Sequence, residues 1–228
     1  MENDWRKDIK GFVFSAGPLW NVAAEAAQRA TDAERADPGT VTTDTLVSLI
    51  LAAASTEAFI NELPRHVLDF GPDVRPYLAE TPEGRELLGI HDALETMEEE
   101  NAQILSKYIV ASMVLPGIPL NKGTQPYQDF ARLIGLRNAI MHMKIQEHPA
   151  EGKIEKLLSY FQSRKWTYDP GPNVVVIGWL SQIQTPQIAR WACRSAAAVA
   201  LDIADRFDSG NPVRFMWDRM RTDPRVLE

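Results

Sequence analysis

The chain holds a single cysteine, Cys193, so it can form no intramolecular disulfide and no cysteine zinc cluster, a thiol economy that suits a reducing cytosol. Positive charge is also scarce: 24 Lys and Arg stand against 31 Asp and Glu, a formal net charge of −7. That balance leaves no general electrostatic footprint for nucleic acid, and a polyanion would need a local basic patch. Long apolar runs are missing. The most apolar stretch, Leu46 to Ala54, is about half the roughly 20 residues of a membrane span. Met1-Glu-Asn-Asp-Trp5 is not a basic segment leading into an apolar one, so no secretory signal is expected. There is no glycine-rich phosphate loop, no dinucleotide fingerprint and no arguable Ser-His-Asp order. Repeats, low-complexity tracts and heptads are absent as well. These absences predict a soluble cytoplasmic protein without a cofactor, a bound metal or a membrane partner.

What is present is helix. With 228 residues, 45% of them hydrophobic and 24% charged, the chain can bury a sizeable core as one domain. Residues 1–16 read as an irregular lead-in, with Trp5 and Phe12-Val13-Phe14 packed on the body. Pro18 to Ala36 is Ala-, Glu- and Gln-rich, a good helix by propensity, ended by Asp37-Pro38-Gly39. A second helix opens at one of Thr42 to Asp44 and runs to about Leu63, where Pro64 bends or restarts it. Being apolar on most sides, it is expected at the centre of the bundle. A loop with three prolines spans Gly71 to Gly84, and one long helix is expected from Glu86 to Leu115. The next helix starts at Pro126 and is broken by His148-Pro149. A shorter one covers Lys153 to Arg164, and Thr185-Pro186 opens a last long helix to about Phe207. Arg214 to Arg221 could add a short turn, and Val174 to Ile177 is an isolated strand-like run. The predicted architecture is an all-α bundle of five to six helices.

Two helices carry charges in the wrong place. Phe130, Leu133, Ile134, Leu136, Ile140 and Met141 read as core, yet Arg137 falls near the middle of that face at 100° per residue. Asn138 and His142, four apart, share one edge beside Gly135. A guanidinium keeps its charge, and burying it unpaired is very costly, so Arg137 must face a partner, a cleft or an interface. The second helix poses the same puzzle: its stripe of Leu46, Leu49, Ile50, Ala53 and Ile60 includes Glu57, with Asn61 one turn on. The economical solution is that the two helices face each other.

Arg137-Asn138 followed by His142, with four residues between Arg and His, resembles the signature of the HEPN superfamily. These are small helical bundles, often metal-independent endoribonucleases of toxin–antitoxin, phage-defence and CRISPR-associated systems. The Ser55-Thr-Glu57-Ala-Phe-Ile-Asn61 helix resembles the partner helix of several such families, and the resemblance covers residues 41–145, with residues 1–40 leading in and 146–228 as a helical extension. It implies a homodimer in which two motif helices form one composite cleft, and RNA cleaved by attack of the ribose 2′-OH on the adjacent phosphate. His142 would be general acid or base, Arg137 would hold the phosphate, and Asn138 would orient the imidazole or bind the phosphate. Glu57 and Asn61 would support Arg137, and Arg132 and Lys144 could supply phosphate contacts. An antitoxin or regulatory protein is a further implied partner.

Plainer explanations stand beside these. Arg137 and Glu57 could be an ion pair that only locks two helices, in a non-catalytic module binding RNA or protein, or in a bundle unrelated to the superfamily. His142 could be a helix-end residue bonded to a carbonyl. Its spacing of six from His148 suits no metal pair. A second match, Arg85 to His91, has Glu after the Arg and follows a loop, which sets it aside. His91 and Glu95 lie four apart, yet the glutamates that follow read as a solvated helix face. Trp179, Trp191 and Trp217 read as core or interface anchors rather than base-stacking platforms, and Cys193 as a small core residue.

Overall fold

The computed structural model describes residues 15–68, 75–142, 152–168, 178–207, 220 and 222–227. Every regular element among them is a helix: α1 Ala16–Ala36, α2 Asp44–Leu68, α3 Arg75–Glu80, α4 Pro82–Glu99, α5 Ile104–Val114, α6 Gln125–Met141, α7 Lys153–Gln162, α8 Gly178–Gln182, α9 Pro186–Ala204 and α10 Pro224–Leu227. The expected lead-in packing of Trp5 and Phe12 to Phe14, the strand-like run at 174–177 and the turn expected at 214–221 (Met220 apart) lie outside the described residues.

The centre is α2, which packs against α1, α4, α5, α6 and α9. Small side chains make this possible. On α1 the buried face is Ala16, Trp20, Ala23, Ala24, Ala27 and Ala30, and on α9 Ala189, Ala192, Cys193, Ala196 and Ala200 are buried. Close approach then lets hydroxyls of α2 bond to α9 carbonyls: Ser48 Oγ donates to Ala189 O at 3.2 Å and Thr45 Oγ1 to Thr185 O at 3.3 Å. Buried hydroxyls need such partners, because an unmade hydrogen bond in a core costs about 1–3 kcal/mol. Ser15 begins α1 through Glu62 of α2, whose carboxylate accepts from the Ser15 backbone N–H at 2.7 Å. By length and composition Asp44–Pro64 could cross a membrane, with hydropathy 1.4 over its best window; half of that window is buried among its neighbours. The helix is therefore longer in its apolar character than the run Leu46 to Ala54 suggests.

Three boundaries differ from expectation. The second helix continues through Pro64 to Leu68. The proline-rich loop is largely helical: Pro76 stands in the first turn of α3 and Pro82 in that of α4, where a missing N–H costs nothing. Thr81 Oγ1 caps α4 by accepting from Gly84 N at 3.0 Å. The single long helix from Glu86 to Leu115 is two, α4 and α5, because Asn101 turns left-handed at φ 53. Asn tolerates that conformation better than most residues, and the negative charges of Glu98, Glu99 and Glu100 are unfavourable at the C-terminal end of the helix dipole.

One aromatic group fixes α2, α5 and α6 to each other. Tyr108 of α5 is fully buried between Phe59 of α2, at 6.2 Å between ring centres, and Phe130 of α6, at 4.7 Å edge-to-face. Its hydroxyl donates to Thr56 O at 3.0 Å, and burial raises its pKa well above the usual value. With Leu133 and Leu136 below it, this group sets the spacing of the helices that carry the unusual charges.

Candidate active-site cleft

Between α2, the start of α5 and α6 lies an open cleft of about 390 Å³, with Glu57, Gln103, Ile134, Gly135, Arg137 and Asn138 among its lining residues. The Arg137 side chain is 31% exposed and Glu57 50% exposed, and Arg137 Nη2 approaches Glu57 Oε2 at 3.4 Å. Arg137 therefore stands at the edge of the apolar stripe where α6 leaves the core, and Glu57 faces the cleft rather than the interior. The C-terminal end of the stripe is also more open than its composition suggests, with Met141 55% exposed. The helix ends there.

Arg137 is held by two neighbours. Besides the single long contact to Glu57, its Nη1 donates to Asn138 Oδ1 at 2.9 Å. A guanidinium carries five N–H donors, so this arrangement orients the fork toward the cleft and leaves donors available to an anion. Asn138 is exposed and engaged with Arg137, not with His142. His142 is exposed at the C-terminal end of α6, its backbone N–H on Asn138 O at 3.0 Å. The imidazole is not among the cleft's lining groups.

Asn61 points to a different partner. Its Oδ1 accepts from Lys107 Nζ at 2.9 Å, and the same ammonium pairs with Glu98 of α4. Lys107 is buried, and desolvation lowers its pKa, opposed by the Glu57 charge. The polar edge of α2 thus joins α6 through Glu57 and α5 through Asn61. Sequence reasoning did not single out Lys107; its signal was a lone charge inside the apolar run Ile104 to Val114.

Of the two candidate phosphate contacts, Lys144 lies outside the described residues. Arg132 lies on another side of α6, where Nη1 meets Asp129 Oδ1 at 3.2 Å and Cζ sits 4.1 Å from the centre of the Tyr160 ring. His91 is buried against Asp92 and Glu95, at 3.0 and 3.6 Å, while Glu98, Glu99 and Glu100 after it are exposed. Trp191 is buried and Trp179 packs on the core, whereas Trp217 lies outside the described residues. Cys193 is fully buried beside Ser48 Oγ at 3.3 Å, and burial pushes its thiol up to about 12.

No protein family, no curated protein and no solved structure matches the chain.

Proposed function

We propose that the protein is a HEPN-like, metal-independent endoribonuclease of a toxin or phage-defence type, acting in the cytoplasm as a homodimer. The observation that carries this is the Arg137 guanidinium, aimed by Asn138 and lightly tethered by Glu57 at an open cleft large enough for a phosphodiester. A group kept only to lock two helices would be closed off between them. In the proposed reaction Arg137 binds the scissile phosphate and the charge that builds on it in the transition state. His142, outside the cleft's lining but one turn beyond Asn138 on the same exposed edge, takes the proton from the ribose 2′-OH of a strand that runs from the cleft along that edge. The 2′-oxygen bonds to phosphorus, the bond to the 5′-oxygen breaks, and that oxygen takes a proton from the imidazolium of the second copy's motif. The products carry a 2′,3′-cyclic phosphate and a 5′-hydroxyl. An antitoxin or regulatory protein would act by covering the cleft.

The Arg137–Glu57 contact and the net charge of −7 support a second reading, a non-catalytic module that binds RNA or protein, since RNA affinity leans on phosphate neutralisation. An RNA-cleavage assay in EDTA separates the two, using wild type, Arg137→Ala and His142→Ala, each first shown to be folded by circular dichroism. Cleavage by wild type that is lost in both variants supports the nuclease. A wild type that cuts nothing, with Arg137→Ala strongly destabilised, replaces it with the module.

A further inference from the structure

On the side of α6 facing α7, two guanidiniums stack on one tyrosine. Arg132 Cζ is 4.1 Å and Arg164 Cζ 3.8 Å from the centre of the Tyr160 ring, and Arg164 Cζ is also 5.6 Å from that of Trp166. Asp129 organises the group from below: it accepts from the Tyr160 hydroxyl at 2.5 Å, from Gln125 Nε2 at 2.9 Å and from Arg132 Nη1 at 3.2 Å. Arg164 is exposed, and one of its donors reaches Tyr160 O at 3.3 Å. Exposed Lys165 follows it. Arg194 of α9 lies within the field of Asp129, which opposes the lowering of its pKa by burial and by the charge of Arg190 one turn away; Arg190 itself reaches Thr31 Oγ1 of α1 at 3.3 Å. In a chain of net charge −7, cations gathered this closely make a local positive field with aromatic rings set into it. Arg132 has Nη1 on Asp129 and Nη2 on Gln128 Oε1 at 3.5 Å, whereas exposed Arg164 has Nη1 on Tyr160 O, so the rest of the Arg164 fork is the better placed to grip phosphate oxygens. The guanidiniums cover the Tyr160 ring, and unpaired bases stack on Arg guanidinium planes as well as on aromatic rings.

The position relative to the cleft is informative. Arg132 precedes Arg137 by five residues, which places it about 140° around α6 and roughly 7.5 Å along it. That 140° arc is the buried face, with Leu133 and Leu136, and the exposed edge with Gly135, Asn138 and His142 joins the two arginines the longer way round, over about 220°. A Cβ on Gly135 would meet nothing within 4 Å, so the surface there is open.

We propose that the Arg132–Tyr160–Arg164 stack, with Lys165 and Trp166, is a second anchor for single-stranded RNA, holding nucleotides that flank the bond bound at Arg137. It rests on RNA being the ligand of the Arg137 cleft. The test measures binding without cleavage, as anisotropy of a short fluorescein-labelled 2′-O-methyl oligoribonucleotide over a salt series, for wild type, Arg164→Ala, Arg164→Lys and Arg132→Gln. Arg164→Ala is expected to weaken binding about fivefold and to flatten the slope of log K against log salt by about 0.7, the value for one lost phosphate contact on a single strand. Arg164→Lys keeps the slope and loses part of the affinity. Arg132→Gln behaves as Arg164→Ala does. Equal affinity and slope in wild type, Arg164→Ala and Arg132→Gln would overturn the second anchor, as would a wild type that does not bind the oligonucleotide. Because the oligonucleotide cannot be cut, an absence of cleavage activity leaves this result readable and counts against the nuclease alone.

Discussion

Replacing Glu57 by Gln separates an architectural ion pair from a working cleft. The pair makes one contact at 3.4 Å between side chains that are 31% and 50% exposed. At that distance the Coulomb energy in a water-like medium is about 1 kcal/mol, and ordering two long side chains offsets part of it. The expected loss on Glu57→Gln is therefore below about 1 kcal/mol, roughly a fivefold change in the folding equilibrium. For a domain of this size that is a drop of about 2–4 °C in Tm. A pair sealed in the core would instead cost about 3–5 kcal/mol when one partner is removed. Urea unfolding followed by far-ultraviolet circular dichroism distinguishes these outcomes, provided the slope with denaturant is unchanged. Losing its tether also frees Arg137 for a phosphate, so the variant should bind RNA at least as tightly as wild type. A destabilisation of 3 kcal/mol or more would refute the reasoning and make the pair a structural lock.

Two further outcomes follow from the packing. Phe130 is fully buried and contacts Tyr108 edge-to-face at 4.7 Å, so Phe130→Ala should cost about 3–5 kcal/mol in urea unfolding; a cost below 1 kcal/mol would mean that the aromatic group does not hold the cleft's helices. Cys193, pushed up to about 12 by burial, should resist thiol reagents at pH 8 in the native protein and react within seconds once unfolded. Its raised folded-state pKa also means stability that is fully present below about pH 9 and lost as pH rises toward about 12, since the unfolded chain releases the proton first. Prompt labelling of the native protein would contradict the burial.

How much of this was legible in the sequence depended on the range of the signal. The central place of α2 followed from its apolarity on most sides, and the all-α class from helical patterning along the chain. That Glu57 and Arg137 approach each other was suggested by one misplaced charge on each of two amphipathic helices. The break at Asn101 was hidden because a left-handed Asn has no period to disturb. Pro76 and Pro82 read as loop, since the same residue that ends helices also opens them. Lys107 was missed because its partners, Asn61 and Glu98, lie on two other helices. The stacking of Arg132 and Arg164 on Tyr160 likewise joins residues from separate elements, which no local pattern announces.

The most direct test of the proposed chemistry is cleavage, in EDTA, of an RNA that wild type cuts, compared with the same RNA carrying one 2′-deoxy nucleotide immediately 5′ of the scissile phosphate. Attack by the 2′-OH predicts that the substituted site is not cut, and that the natural site yields 2′,3′-cyclic phosphate and 5′-hydroxyl ends. Equal cutting of both substrates, or products ending in 5′-phosphate, would contradict it.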